Sequence, residues 1–277
     1  ELKADYSSAT SNSNQTPYVR SLSFGENSYR TAISWHQTPE NHYYLSYSDS
    51  FSPTADLYQL TTRPQPAERS KTTELGAKWL FFGGDLAFRS ALYRTEKEWE
   101  RNTDLEATAS ILTKKRRTDG IEFEAAGRIT SKWEVFGGLA LMDAEILEVA
   151  ENISNTGTIT IANSSYQGKR PRNTPPVTFN IWSTYKLDEH WKLGAGLEAK
   201  GERLGYVPSA STAYNPNVLP GYARLDAMLS YEEKKWTVKL NVKNLLDKVY
   251  YDAIYDNGGF SVPGNSRTVI VTTEFKF

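Results

Sequence analysis

The stretch Trp191-Lys192-Leu193-Gly194-Ala195-Gly196-Leu197-Glu198-Ala199-Lys200 decides the fold. Trp191, Leu193, Ala195, Leu197 and Ala199 alternate with Lys192, Gly194, Gly196, Glu198 and Lys200. A period of two sends successive side chains to opposite faces of a strand, whereas a helix would repeat its apolar residues three and four apart. The same alternation recurs on both sides. Val177, Phe179 and Ile181 oppose Thr178, Asn180 and Trp182, and Trp236, Val238, Leu240 and Val242 oppose Thr237, Lys239, Asn241 and Lys243. Leu75, Ala77, Trp79 and Phe81 stand against Glu74, Gly76 and Lys78, and Ile121, Phe123 and Ala125 against Glu122, Glu124 and Ala126. The last segment sets Val269, Val271, Thr273, Phe275 and Phe277 against Thr268, Ile270, Thr272, Glu274 and Lys276.

The pattern predicts about twelve strands, near 1–7, 28–36, 41–50, 71–82, 85–98, 117–128, 133–144, 174–186, 190–202, 219–231, 235–246 and 266–277. Their connections alternate in length. Short ones lie at 37–40, 83–84, 129–132, 188–190 and 232–234, and long ones at 51–70, 99–116, 145–173, 203–218 and 247–265. Tight turns at one end and long loops at the other are the habit of an outer-membrane barrel, with its short periplasmic turns and long extracellular loops. A soluble β-sandwich has no such asymmetry. Segments of about 10–13 residues suit tilted membrane strands better than ordinary soluble strands of about 5–6. Trp133, Tyr185, Trp191, Tyr231, Trp236 and Phe277 sit near strand ends, where aromatic rings line membrane interfaces. The expected fold class is therefore all-β, an antiparallel transmembrane β-barrel, with no linker dividing residues 1–277.

Composition narrows the function. The 32 basic residues nearly cancel the 33 acidic ones, so no global charge points to nucleic acid. With no Cys among 277 residues, disulfide scaffolds, thiolate metal sites and thiol catalysis are excluded. Mean hydropathy is −0.57, and apolar runs are as short as Trp79-Leu80-Phe81-Phe82, which excludes a transmembrane helix but not membrane strands. Glu1 follows no initiator Met, so either a signal peptide is removed or the chain lies inside a longer protein. An enzyme is not expected: no His has a Ser and an acid beside it on one strand face, and His and Cys form no cluster.

The C-terminal stretch Leu240-Asn241-Val242-Lys243-Asn244-Leu245-Leu246-Asp247-Lys248-Val249-Tyr250-Tyr251, then Pro263-Gly264-Asn265-Ser266-Arg267-Thr268 and a terminal Phe277, resembles the closing signature of TonB-dependent outer-membrane receptors. Three upstream pieces follow the family pattern in order: Tyr44-Leu45-Ser46-Tyr47-Ser48-Asp49-Ser50-Phe51-Ser52-Pro53, Glu74-Leu75-Gly76-Ala77-Lys78, and Pro220-Gly221-Tyr222-Ala223-Arg224-Leu225-Asp226. Within the family, the Pro-Gly-Tyr strand and the ending look most like ferric-catecholate siderophore receptors, although ferric-hydroxamate receptors share most of these pieces. The resemblance implies a 22-stranded plugged barrel in the outer membrane of a Gram-negative bacterium. At about 23 residues per strand and connection, 22 strands need about 500 residues. The chain thus reads as the C-terminal half of such a barrel, its plug and first strands supplied elsewhere. An open sheet would otherwise leave two bare edges in lipid, unless it closed as a smaller barrel. By resemblance Phe277 belongs to the signal read by the assembly machinery.

What the resemblance implies for function is energised uptake of a ferric siderophore, with a TonB complex engaged through the N-terminal region. Iron enters only as the cargo, and no cofactor is implied. Such a cargo calls for Arg and Lys to offset charge and aromatic rings to stack on catechols. The long connections and adjoining strand ends offer Tyr58, Arg63, Arg172, Arg203, Tyr206, Tyr222, Arg224 and Tyr255 as ligand-binding candidates. Tyr222 and Arg224 share parity with Asp226 and Met228 and should face the lumen. The run Lys114-Lys115-Arg116-Arg117 suits a patch facing anionic lipopolysaccharide. Haem fits poorly. Phe51-Ser52-Pro53 departs from the haem-receptor motif, Asn215-Pro216-Asn217-Val218 lies in another loop, and His36, His42 and His190 all fall at predicted periplasmic turns. The alternatives are a ferric hydroxamate, haem, cobalamin, saccharide or other chelate as cargo, or a passive outer-membrane channel.

Overall fold

The computed structural model describes residues 2–8, 18–52, 67–101, 111–149, 151–153, 159–161, 166–206, 216–254 and 260–276. Its strands, in chain order, are β1 (Leu2–Ser8), β2 (Tyr18–Phe24), β3 (Arg30–His36), β4 (Asn41–Ser52), β5 (Glu68–Phe81), β6 (Leu86–Arg101), β7 (Ile111–Thr130), β8 (Trp133–Val149), β9 (Glu151–Ile153) and β10 (Ile159–Ile161). The rest are β11 (Val177–Lys186), β12 (Trp191–Lys200), β13 (Arg203–Tyr206), β14 (Pro216–Leu219), β15 (Tyr222–Glu232), β16 (Trp236–Lys243), β17 (Tyr251–Ile254), β18 (Ser261–Pro263) and β19 (Thr268–Phe275). Eleven of them form one antiparallel meander in the order β19-β16-β15-β12-β11-β8-β7-β6-β5-β4-β3. The smaller pairs β9–β10, β13–β14 and β17–β18 stand in the long connections.

Eleven of the expected strands thus join the sheet. The exception is the segment near 1–7: β1 pairs instead with β2, over which no strand is expected. Among the described residues β3 and β19 end the sheet and do not pair with each other, so the described strands do not close as a smaller barrel.

Register makes the two faces explicit. Ile33, Leu45, Leu75, Leu92, Ile121, Leu141 and Val177 are successive cross-strand partners from β3 to β11, and Ile181, Leu197 and Leu225 carry the same face into β15. Ile33 is 71% exposed and Leu75 55%. A continuous apolar band of this extent is not tolerated in water, and it matches the lipid-facing belt of a membrane barrel. Toward the short turns the same face turns aromatic: Trp35 stacks on Tyr43 at 5.5 Å, Tyr43 meets Trp79 edge-on at 6.1 Å, and Trp191 meets Tyr231 at 4.8 Å. These rings form an interfacial girdle.

The other face is polar and concave. A hollow of about 440 Å³ over β4 to β11 is lined by Tyr44, Glu74, Lys78, Arg89, Glu122 and Asn180, among others. Strands β6, β7 and β8 are 16, 20 and 17 residues long, well beyond the expected span. Their extensions on the long-connection side are held by ion pairs between strands: Lys115–Glu96 at 2.9 Å, Arg116–Glu100 at 3.0 Å, Arg117–Glu145 at 3.0 Å and Lys114–Glu148 at 2.9 Å. The long connection expected at 99–116 is corrected to this extent. The run Lys114–Arg117 lies within β7, and each cation has a carboxylate across the ladder.

Candidate functional site

The sequence candidates converge at the long-connection end of the polar face, where β12, β15 and the β17–β18 hairpin meet. Tyr222 opposes Lys200 and Arg224 opposes Glu198 across β12 and β15. Alternation therefore puts all four, with Asp226, on the polar face. The Tyr222 hydroxyl donates to Glu198 Oε1 at 2.7 Å and lies 3.2 Å from Asp252 Oδ1. Arg224 donates to Glu198 Oε2 at 2.8 Å, to Asp226 Oδ2 at 3.2 Å and to the Tyr250 hydroxyl at 2.9 Å. The rings of Tyr222 and Tyr250 lie 4.5 Å apart.

Arg203 works differently. One of its terminal nitrogens donates to the Tyr251 carbonyl at 2.8 Å and the other to the Asp252 carbonyl, so the guanidinium clasps the backbone of β17. Its plane also sits 5.9 Å from the Tyr222 ring centre. Asn173 adds a second hold on the hairpin by donating from Nδ2 to the Ile254 carbonyl at 2.8 Å. Burial disfavours the charged form of Asp252, but Lys200 at 3.4 Å, the Tyr222 hydroxyl and Arg203 together hold its carboxyl below the usual range. It is an anion at neutral pH.

Cations and anions therefore balance: Lys200, Arg203 and Arg224 face Glu198, Asp226 and Asp252. Tyr222 is only 6% exposed, and Tyr250 is buried as well. The hydrogen-bonding capacity of these residues is turned toward one another and toward the hairpin. What remains is small: Nε of Arg203 and Nε of Arg224 are buried and have no acceptor among the described residues. Among the described residues of the hairpin and its connection, the large aromatic side chains left exposed are Tyr251 and Phe260.

The other candidates do not join this cluster in the described contacts. Arg172 is buried just before Asn173, its carbonyl accepting from Thr174 Oγ1 at 3.0 Å. Tyr206 ends β13 with its backbone opposite Pro216. Tyr58, Arg63 and Tyr255 lie outside the described residues. Sequence reasoning missed Glu198, Lys200, Asn173 and Asp252. For Glu198 and Lys200 the signal existed, since alternation in β12 places both on the polar side; Asp252 and Asn173 sit in irregular connections where no periodicity applies.

The family model described as TonB dependent receptor-like, beta-barrel matches residues 2–245. The chain belongs to that family. A Bordetella pertussis protein named "Probable TonB-dependent receptor BfrD" is 30% identical over 265 residues, covering 90% of this chain and 33% of that protein. The catecholate siderophore receptor Fiu of Escherichia coli K12 is 30% identical over 211 residues, covering 76% of this chain and 26% of Fiu. The crystal structure of the siderophore receptor PiuA from Acinetobacter baumannii aligns with a TM-score of 0.81 at 27% identity, covering 96% of this chain and 38% of that one. The chain spans about a third of the length of the first curated relatives it matches.

In this TonB-dependent receptor chain the closing motif has a physical reading. Asn244 is 1% exposed and adopts a left-handed backbone with φ 52°. Its backbone N–H donates to Asp226 Oδ1 at 2.8 Å, and its Nδ2 donates to the carbonyls of Lys248 and Asn265 at 2.9 and 3.0 Å. Its Oδ1 accepts from the Lys248 N–H at 2.9 Å. Asn244 thus ties the last turn of the motif to the strand that carries Arg224. Gly264 completes the arrangement: a Cβ there would lie 2.1 Å from the Tyr250 ring, which covers it.

Proposed function

We propose that this chain is part of the wall of an outer-membrane receptor that takes up a ferric siderophore of the catecholate kind, energised by a TonB complex. One observation carries the reading: nearly the whole sheet aligns with siderophore receptors, among them proteins named for catecholate siderophores. On this reading the apolar belt faces acyl chains and the long connections face lipopolysaccharide and the outside. The remaining receptor, its N-terminal half included, supplies the strands beyond β3 and β19, the plug and the contact with TonB. Iron is cargo, and the chain's own chemistry is recognition rather than catalysis.

The geometry also divides the labour among the candidates. Arg203, Tyr222 and Arg224 position the β17–β18 hairpin, because their polar groups hold it against β12 and β15. Contact with catechol rings falls to the aromatic side chains that the hairpin exposes, Tyr251 and Phe260. The test is a tryptophan-fluorescence titration of the complete receptor with a ferric catecholate and, separately, a ferric hydroxamate. Saturable quenching by the catecholate alone supports the reading. Saturation by the hydroxamate alone keeps the transporter and overturns the catecholate assignment, and no response to either removes the siderophore reading.

A further inference from the structure

The short-turn end of the polar face carries a pair of side chains that siderophore capture from the long-connection side does not use. His36 and His42 oppose each other directly across β3 and β4. The adjoining turn defines the kind of pair. Gln37 N–H donates to the Asn41 carbonyl at 3.0 Å, so 37 and 41 are a hydrogen-bonded pair, and 36 and 42 fall at the next, non-hydrogen-bonded position. In such a pair the Cα atoms come to about 4.5 Å and the side chains are at their closest. Both histidines share the parity of Tyr44 and rise on the polar face. Their ring centres are 4.2 Å apart, with planes inclined at 21°. His42 Nε2 is buried and has no hydrogen-bond partner among the described residues, a state that buried ring nitrogens rarely keep.

We propose that His36 and His42 form a two-imidazole chelate for a borderline divalent cation of the Zn2+ or Ni2+ class at the short-turn end of the polar face. Imidazole nitrogen suits these ions, and a rotation about χ of each ring turns a stacked pair into a convergent one. Among the described residues no group of three or more His, Cys, Asp or Glu gathers to hold a metal, so water completes the coordination. Lys78 opposes His42 from β5, and its positive charge works against the bound ion. The chelate would clamp the hairpin that carries β3, a strand at the end of the described sheet, so binding stabilises that hairpin.

The experiment uses the complete receptor that contains this chain, free of any affinity tag, in detergent micelles, with Ni2+ and Zn2+ titrated calorimetrically. Expected are one cation per chain and binding weakened about tenfold or more by His36→Ala or by His42→Ala, while His190→Ala at another turn changes nothing. Undiminished binding by the double variant, or equal weakening by His190→Ala, overturns the site. Should the alanine variants not fold, the unmodified receptor decides. Its Ni2+ binding must weaken on acidification, because an imidazole ligates only through an unprotonated nitrogen, and pH-independent binding overturns the proposal.

Discussion

The ring of Tyr44 fills the space that Gly76 leaves open across the β4–β5 pair. The two residues are direct register partners, and a Cβ built on Gly76 would lie 2.1 Å from Tyr44 Cζ. The hydroxyl reaches Glu74 Oε1 at 2.5 Å, and Lys78 Nζ lies 5.3 Å from the ring centre. The spacing Glu-x-Gly-x-Lys is therefore a seat for one tyrosine: an acceptor, a gap and a cation on the same face. Tyr93 repeats the device, lying over Gly120 beside Glu122. Gly76→Ala should displace the ring and lower stability by about 1–3 kcal/mol, as overpacking does. Denaturant midpoints of Gly76→Ala, Tyr44→Ala and the double variant check this. The double variant should lose less than the sum of the single losses, and simple additivity would show that ring and gap are not coupled.

Asn244 carries a heavier role. Replacing it with Ala removes two donated and one accepted side-chain hydrogen bond in a buried turn, and leaves at φ 52° a residue that tolerates the left-handed region less well than Asn. The expected loss is about 2–4 kcal/mol, read as a lower denaturant midpoint and a lower yield of heat-modifiable barrel. Asn244→Gly keeps the backbone conformation but not the bonds, so it should fall between wild type and Ala. A Gly variant as unstable as Ala would assign the whole effect to the hydrogen bonds.

What was legible in the sequence follows from what is local. Alternation in Trp191–Lys200 or Leu75–Phe81 reveals a strand and both its faces, because side-chain direction depends only on parity. That sufficed to place Tyr222 and Arg224 on the polar face. It could not place Arg203 against the Asp252 carbonyl, because that contact joins two irregular connections far apart in the chain. Short pairs such as Arg203–Tyr206 with Pro216–Leu219 offer too few residues for a period to emerge. The run Lys114–Arg117 reads as a solvated loop until Glu96, Glu100, Glu145 and Glu148 are brought opposite it, which only the register of β6, β7 and β8 does.

Arg203 supplies the next expectation. Its two terminal nitrogens hold two successive carbonyls of β17, a task for a planar fork that a single ammonium cannot repeat. Arg203→Lys should loosen the β17–β18 hairpin while the sheet stays intact. Limited chymotrypsin digestion should then cut at Tyr251 or Phe260 about tenfold faster, with unchanged far-UV dichroism. Arg89→Lys, whose exposed pairing with Glu124 lies on another part of the polar face, should leave the cutting rate alone. Equal rates for Arg203→Lys and wild type would mean that Asn173 and the Tyr222–Asp252 contact suffice to hold the hairpin.

The short turn between β11 and β12 predicts a pH dependence with a definite sign. The backbone N–H groups of Trp191 and His190 donate to Asp188 Oδ1 at 2.7 and 2.8 Å and hold its carboxyl below the usual range. His190 is shifted upward, first by its hydrogen bond to the Glu232 carbonyl at 3.0 Å and then by the charges of Glu233 and Asp188. A depressed carboxyl stabilises above its unfolded value, near about 3.9, and that contribution is lost as pH falls through the lower folded value. A raised imidazole stabilises below its unfolded value, near about 6.5, and that contribution is lost as pH rises through the higher folded value. The turn should therefore be tightest between about pH 4 and 6.5. The protection factor of the Trp191 amide against hydrogen exchange measures it. Protection should drop on the acid side in the wild-type chain, be low at every pH in Asp188→Ala, and persist into acid in Asp188→Asn, whose amide oxygen accepts without titrating. Acid loss of the same size in Asp188→Asn would trace the effect to some other carboxyl.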